Sequence, residues 1–276
     1  MVTKKLLIIT GVTGFVGTHL VNSTILKDYD VLGLSSNKFF SFFDKMEELT
    51  KSQYLERIES ASKIKIIFLA TYYSLNNQEK HLITQANENF GKDFLQEVDN
   101  KKIEKIVYTN SYFTFFNDMS LKNSIYTMTK LNFSIYLKNF ADQYSISFSE
   151  IFLSNNFGSN DKRKKLIPEI ITSIKQNNLN PTNNPNKYIN LLPIDIICRS
   201  LINELDAPSR KVYLKSKKDY KILSIYNFCK DLINNNIIGK IEYADESESL
   251  NIPVDVKIIK HDFNLEDELF TLITKQ

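Results

Sequence analysis

The chain has 276 residues, 42% of them hydrophobic, with 35 Lys+Arg against 32 Asp+Glu and a formal net charge of +3. That length supports one large α/β domain, with or without a smaller lobe. So mild a charge gives no general argument for nucleic acid or membrane as a partner. Cys198 and Cys229 sit in apolar surroundings with no CxxC pattern, as buried free thiols of a reducing compartment would. His19, His81 and His261 are scattered without metal-ligand spacing, so no metal is expected. No apolar stretch approaches the roughly 18 residues that read as a membrane span. The short run before Gly11 does not read as a signal peptide, so a cytoplasmic protein is expected.

Short apolar runs alternate with amphipathic segments along the first half. "KKLLIIT" (4–10) reads as a buried strand, and "FVGTHLVNSTILKD" (15–28) carries a helical apolar stripe. Strands follow at "DVLGLSS" (30–36) and "IKIIFLA" (64–70), then a helix over about 82–98. "IEKIVYTNS" (103–111) is the next strand, 124–144 a long helix, and "ISFSEIFLS" (146–154) another strand. Such alternation predicts a doubly wound parallel sheet in an α/β, Rossmann-type fold. All six prolines lie at or beyond Pro168, and "NNLNPTNNPNK" (177–187) is a polar loop, so the second half is expected to be looser.

The turn "TGVTGFVGTHL" (10–20) joins the first strand to the first helix. A phosphate there would meet backbone N–H groups at a helix start. Gly11 permits the tight turn, Gly14 lets a pyrophosphate approach, and Gly17 lets helix and strand pack closely. The second strand ends "LGLSSNK", with no carboxylate to hold a ribose 2′-OH. Ser35, Ser36 and Lys38 suit a 2′-phosphate instead, which favours NADPH over NADH or NAD. In "YTMTK", Tyr126 and Lys130 are four apart and share a helix face. An ammonium beside a phenol lowers the phenol's pKa, which suits proton transfer near neutral pH. Ser111 ends a strand at the carboxyl edge of the sheet, where ligands bind in open α/β folds.

These motifs together resemble the extended short-chain dehydrogenase/reductase family of nucleotide-sugar epimerases, dehydratases and reductases. "TGVTGFVGTHL" is similar to its cofactor turn, "FLAT" (68–71) to its "HLAA" element, and "VYTNS" and "YTMTK" to its Ser-Tyr-Lys stations. "SNNFGSND" (154–161) resembles "NVYGPGD", with Asn155, Phe157 and Gly158 on its Asn, Tyr and Gly. "LLPIDII" (191–197) resembles "VxVDDVA" through Asp195, and "ILSIYNFCKDLI" (222–233) resembles the late helix after "YNIGSG". Phe152 stands where an arginine is expected, "VYLKSKKD" lacks the late glycines, and the Ser111–Tyr126 interval is short.

The resemblance implies Ser111, Tyr126 and Lys130 as catalytic residues. It implies cofactor contacts at Gly11, Thr13, Gly14, Phe15, Val16, Gly17, Ser35, Ser36, Lys38, Leu69, Ala70, Thr71, Tyr126 and Lys130. Substrate contacts are expected at Ser111, Tyr112 and Asn155, with Lys164 or Lys165 of the run "DKRKK" facing a substrate diphosphate. Residues 1–155 with about 188–200 are expected to form the dinucleotide domain, and about 156–187 with 201–276 a smaller substrate lobe. Tyr112 and Phe113 occupy the positions where 4,6-dehydratases carry an Asp-Glu pair, which argues against elimination chemistry. The short interval and "DKRKKLIPEII" (161–171) look most like the CDP-abequose and CDP-paratose synthase group, which reduces C4 of a nucleotide 4-keto sugar. A 4-epimerase holding NAD, and a non-catalytic cofactor-binding module of the same fold, remain the alternatives. Family likeness further implies a homodimer through the helices at about 82–98 and 124–144.

Overall fold

The structure is a computed structural model, and it describes residues 5–23, 26–36, 38–42, 46–74, 79–177, 184–237, 239–245 and 250–275. The chain forms two compact units: residues 1–153, 198–213 and 251–257 make the first, and 154–197, 214–250 and 258–276 the second.

The first unit opens with β1 (Lys5–Thr10), α1 (Phe15–Val21), β2 (Tyr29–Ser35), β3 (Lys38–Ser41), β4 (Glu47–Leu49) and α2 (Lys51–Ser60). It continues with β5 (Ile64–Phe68), α3 (Lys80–Thr84), a π-helical turn (Gln85–Asn89) and α4 (Phe90–Gln96). Then follow β6 (Ile103–Ser111), α5 (Met119–Lys122), α6 (Ile125–Tyr144) and β7 (Ser147–Leu153). β1 pairs in parallel with β2 and β5, β5 with β6, and β6 with β7. The expected doubly wound parallel sheet is therefore present. Its strands are continuous apolar runs because both faces are covered; Leu7, Ile8, Ile9, Ile64, Ile66 and Ile67 are wholly buried. β1 lies between β2 and β5, so its carboxyl end is the point where successive connections leave in opposite directions, the place where ligands bind in such sheets.

Two stretches depart from the expected elements. The helix predicted over 15–28 ends at Val21. Ser23 turns its hydroxyl onto the Leu20 carbonyl at 2.7 Å and its N–H onto the same oxygen at 3.1 Å. A serine that claims a helical carbonyl competes with the next turn. Leu26 of the apolar stripe is buried beyond the helix end, and Ile25 lies outside the described residues. The second departure follows β2, where β3 and β4 form an antiparallel hairpin and α2 leads back to β5. Thr50 caps α2 in a reciprocal box with Gln53.

The second unit contains β8 (Asn155–Phe157), α7 (Leu166–Lys175) and β9 (Tyr188–Pro193), and α8 (Ile194–Glu204) begins in it. β10 (Arg210–Ser216) passes into it, followed by β11 (Asp219–Lys221), α9 (Ile222–Ile233) and β12 (Tyr243–Ala244). β13 (Val256–His261) enters it again, and α10 (Leu265–Thr274) completes it. Its own sheet runs β12-β11-β9-β8, whereas the large sheet runs β13-β10-β7-β6-β5-β1-β2-β3-β4. Because β9 pairs with β8 and β11, residues 188–197 group with the second unit; 198–213 group with the first, where β10 adjoins β7. Part of the 177–187 loop lies outside the described residues. Cys198 and Cys229 are both buried and unbridged, and burial pushes the Cys229 thiol up to about 12.

Candidate active site

The glycine turn is built by close approach. Gly11 has φ +75°, and a Cβ there would fall 2.7 Å from the Ala70 nitrogen. A Cβ on Gly17 would fall 2.2 Å from the Gly11 carbonyl oxygen. Both positions exclude any side chain for reasons internal to the chain. Gly14 differs. It is exposed, its backbone is extended, and a Cβ would meet only the Gly11 oxygen at 3.2 Å. It caps α1 without a side-chain acceptor. Thr10 ties the ends of β1 and β5 together, its hydroxyl accepting from the N–H groups of Leu69 and Ala70, each at 3.2 Å.

Thr13 and Ser35 join hydroxyl to hydroxyl, which sets the turn against the tip of β2. Ser36 follows in the left-handed region at φ 51°. Lys38 opens β3 opposite Ser35, and its ammonium meets Glu48 of β4 at 3.4 Å with both side chains largely exposed. That carboxylate was not foreseen from the sequence.

Tyr126 and Lys130 stand one turn apart on α6, whose start is fixed by the Ser124 hydroxyl accepting from the Thr127 N–H. Lys130 is 2% exposed, donates to the Thr71 hydroxyl at 3.1 Å and lies 4.5 Å from the centre of the Tyr108 ring. Burial holds its ammonium down to about 7, partly offset by Glu150. Tyr126 packs edge-on against Tyr73, centroids 4.9 Å apart, with Phe113 at 6.3 Å. Ser111 ends β6 as a buried side chain; its oxygen accepts from the Phe113 N–H at 3.2 Å, which leaves its own hydrogen to donate. Tyr112 is buried among Phe113, Phe116 and Tyr213, so it is Phe113 that stands beside Tyr126.

Asn87, Asn110 and Glu150 are buried polar residues of this unit that the sequence did not mark. Asn87, in the π turn, accepts from the Tyr72 N–H at 2.7 Å and donates to the Tyr72 carbonyl and the Thr129 hydroxyl, each at 3.2 Å. It clamps the segment after β5 to α6 next to Lys130. A π turn is a frequent mark of a functional position, but nothing in the local sequence distinguishes Asn87 from an ordinary helix asparagine.

In the second unit, Asn155 donates to the Asn190 carbonyl at 3.3 Å. Arg163 is held by Asp161 at 2.7 Å and by Asn156 at 2.8 Å. Lys164 is exposed, and Lys165 precedes α7 with its ammonium lowered to about 8 by burial and by Arg163. Among the described residues no three His, Cys, Asp or Glu side chains gather as a metal site requires, and no helix is long and apolar enough to cross a membrane.

The parallel order around β1 and the connections through α1 and α3–α4 define a Rossmann-type α/β protein. The chain belongs to the NAD dependent epimerase/dehydratase family, whose sequence model matches residues 7–189. It is 27% identical over 180 residues to the CDP-abequose synthase of Salmonella muenchen, covering 64% of this chain and 61% of that protein. The match thus spans about three fifths of that relative. Among solved structures, the fold matches UDP-glucose 4-epimerase of Thermotoga maritima with UDP-glucose at TM-score 0.70 and 14% identity, covering 98% and 97% of the two chains. It also matches the UDP-glucose 4-epimerase of Thermus thermophilus in complex with NAD at TM-score 0.70 and 11% identity, covering 98% of each chain.

Proposed function

We propose that the chain is an NADPH-dependent reductase of the C4 keto group of a nucleotide-activated deoxysugar. The observation that carries this reading is the Lys130 ammonium, buried, held on Thr71, and one helical turn from Tyr126. A dinucleotide suits the turn because a Cβ at Gly14 would meet one backbone oxygen at 3.2 Å, against collisions under 3 Å at Gly11 and Gly17, so Gly14 is the glycine its own chain requires least. The space a Cβ would fill there suits a diphosphate meeting the helix start. Gly11, Thr13, Gly14, Phe15, Val16 and Gly17 would hold that diphosphate, with Ser35, Ser36 and Lys38 toward the adenosine ribose. Leu69, Ala70 and Thr71 would line the nicotinamide end.

When bound, the reduced nicotinamide supplies a hydride to C4. Tyr126 delivers its phenolic proton to the C4 oxygen as negative charge develops there. Lys130 favours the phenolate that remains, because a nearby ammonium stabilises the charged phenol. Ser111 donates a second hydrogen bond to the same oxygen and fixes the carbonyl. Tyr73 and Phe113 cover the Tyr126 ring and limit water around the transferred proton. Asn155, Lys164 and Lys165 are proposed for the sugar nucleotide. The likeness to CDP-abequose synthase supports a CDP-4-keto-dideoxyhexose as the first substrate to try.

The test is NADPH consumption on CDP-, dTDP-, UDP- and GDP-linked 4-keto deoxysugars. Tyr126→Phe should lower turnover by about 10²–10⁴, the range of a general acid, while NADPH binding stays within a few fold. Unchanged turnover in that variant sinks the assignment, and tight NADPH binding with no turnover on any sugar points to a binding module. The Lys38–Glu48 ion pair favours a second reading, a 4-epimerase that retains NAD, because an engaged cation attracts a 2′-phosphate less. Denaturing the purified protein decides: stoichiometric NAD released supports the epimerase. A homodimer is proposed as well, since Met128, Leu131 and Ile135 of α6 form one exposed apolar face, with Leu82 exposed on α3.

A further inference from the structure

Glu150 is a buried carboxyl in the middle of β7, 3% exposed, in a strand whose neighbours Phe148, Ile151 and Phe152 are apolar. Its Oε1 accepts from Asn110 Nδ2 at 2.7 Å on β6 and from Ser134 Oγ at 2.5 Å on α6. Asn110 uses its other side-chain atom, Oδ1, to accept the backbone N–H of Ser111 at 2.7 Å. The Ser111 hydroxyl then accepts from the Phe113 N–H. A hydrogen-bonded series thus runs from the interior of the sheet to the hydroxyl at its carboxyl edge. Burying a carboxyl is costly and persists only where the group is satisfied, and an aliphatic residue would serve the strand better if packing were all that mattered.

The same carboxyl acts on Lys130. That ammonium has a neutral hydroxyl, Thr71, as its hydrogen-bond partner and the Tyr108 ring beneath it. Tyr108 donates its phenolic hydrogen to the Lys130 carbonyl at 2.9 Å, so the ring is locked in place. Glu150 meets α6 at Ser134, one helical turn beyond Lys130 and buried like it, so the carboxylate lies on the lysine's side of the helix and its charge favours the ammonium, while burial raises the carboxyl's own pKa. The other titratable groups around the pair are Tyr108 of β6, Tyr126 of α6, Lys211 of β10, and Glu88 of the π turn, which is ion-paired to Lys92.

Resting on the proposed roles of Ser111, Tyr126 and Lys130, we infer that Glu150 is a positioning residue for that chemistry. Through Asn110 it fixes Ser111, and as counter-charge it keeps Lys130 an ammonium within a dry site. Removing a negative charge lowers the pKa of every group near it. Both the lysine that must stay protonated and the tyrosine that must donate then lose their protons at lower pH.

The experiment follows the rate of NADPH oxidation with a CDP-4-keto-dideoxyhexose as a function of pH, with NADPH affinity and thermal melts measured alongside. Glu150→Gln keeps the shape and both hydrogen bonds but not the charge. Its basic limb in kcat/KM should move down by about one pH unit, giving about a tenfold loss above the limb. It should converge on the unsubstituted protein at acid pH, where Glu150 is itself protonated. Glu150→Asp should restore the limb. Asn110→Ser cuts the connection to Ser111 and should lower kcat by one factor at every pH, without moving the limb. An unmoved limb in Glu150→Gln, or Glu150→Asp behaving like it, overturns the inference. Should Glu150→Gln not be recovered folded, Asn110→Ser decides, and an unchanged kcat overturns the inference. Tyr126→Phe separates the two levels: if it keeps turnover, the parent reading falls and this one with it. If it loses turnover while Glu150→Gln tracks the unsubstituted protein, only this inference falls.

Discussion

Gly14 and Gly17 stand three residues apart and answer to different neighbours. A Cβ at Gly17 collides with backbone at 2.2 Å, so Gly17→Ala should cost about 1–3 kcal/mol of stability, as overpacking does. Gly14→Ala meets one oxygen at 3.2 Å in an extended cap and should stay within about 1 kcal/mol. It should nevertheless weaken NADPH binding by tenfold or more. Urea denaturation and an NADPH titration check both, and equal stability losses would remove the case for a ligand at Gly14. The spacing of these glycines is plain in the sequence; which of them the fold itself demands depends on where the Gly11 carbonyl lies in three dimensions. Glu150, Asn110 and Asn87 were illegible for a related reason. A polar residue within a strand or helix carries no label until its distant partners, 15 to 42 residues away, are in place. Lys130 shows the cost of such a site. Its folded pKa lies below the unfolded value, so the folded state resists protonating it. Stability should rise as pH climbs from about 7 toward the unfolded lysine value. Lys130→Met removes that penalty. Its melting temperature should exceed the unsubstituted protein's by several degrees at pH 7 or below, with the gain shrinking toward pH 10, while turnover is lost. Calorimetric scans across that range would show an absent or pH-independent gain if the ammonium were not destabilising.

Helix α6 serves two surfaces at once. Thr129, Lys130, Phe133, Leu137 and Ala141 are buried, whereas Met128, Leu131 and Ile135 face outward at 49%, 46% and 53% exposure. An apolar stripe left on the outer face of a long helix is the kind of patch that marks a protein partner. If a second copy covers it, Ile135→Arg should shift the protein from dimer to monomer in sedimentation equilibrium, without lowering NADPH affinity. A protein that is monomeric without the substitution would refute the proposed dimer. Elements of this kind were readable in advance. Both ends of α6 were plain because Ser124 caps one end and the pattern runs unbroken to the left-handed Ser145. The stop of α1 was not, because the Ser23 hydroxyl overrides an apolar stripe that continues past it. The β3–β4 hairpin was missed, since "NKFFSFF" alternates in neither period clearly; α2 carried a readable signal, the Thr50–Gln53 capping box.

At the scale of the whole molecule, the chain passes between its two units at 153/154, 197/198, 213/214, 250/251 and 257/258. Neither unit is a contiguous piece of sequence, although the glycine turn and the Ser111, Tyr126 and Lys130 stations all fall before residue 154. The consequence is carried by two buried lysines. Lys65 of β5 donates to the Leu205 carbonyl at 3.0 Å and to Asp206 at 2.5 Å. Lys105 of β6 donates to Ser147, Ser149 and the Ala207 carbonyl, the last at 2.8 Å, and burial lowers its ammonium to about 8. Three of these five acceptors lie in 205–207, and β10 just beyond adjoins β7 at the edge of the parallel sheet. A fragment of residues 1–153 would keep every glycine of the cofactor turn, Ser111, Tyr126 and Lys130. It would strip Lys65 of both acceptors and Lys105 of its carbonyl, and bare the long edge of β7. An unpaired buried charge and an exposed flat edge each favour unfolding or association. The fragment should therefore fail to give a cooperative melt and should aggregate. Adding Lys65→Met and Lys105→Met, which relieve the orphaned charges but leave the edge, should recover secondary structure by circular dichroism while association persists. A fragment that melts cooperatively as a monomer and binds NADPH would show that the returning segment 198–213 is dispensable to the dinucleotide fold.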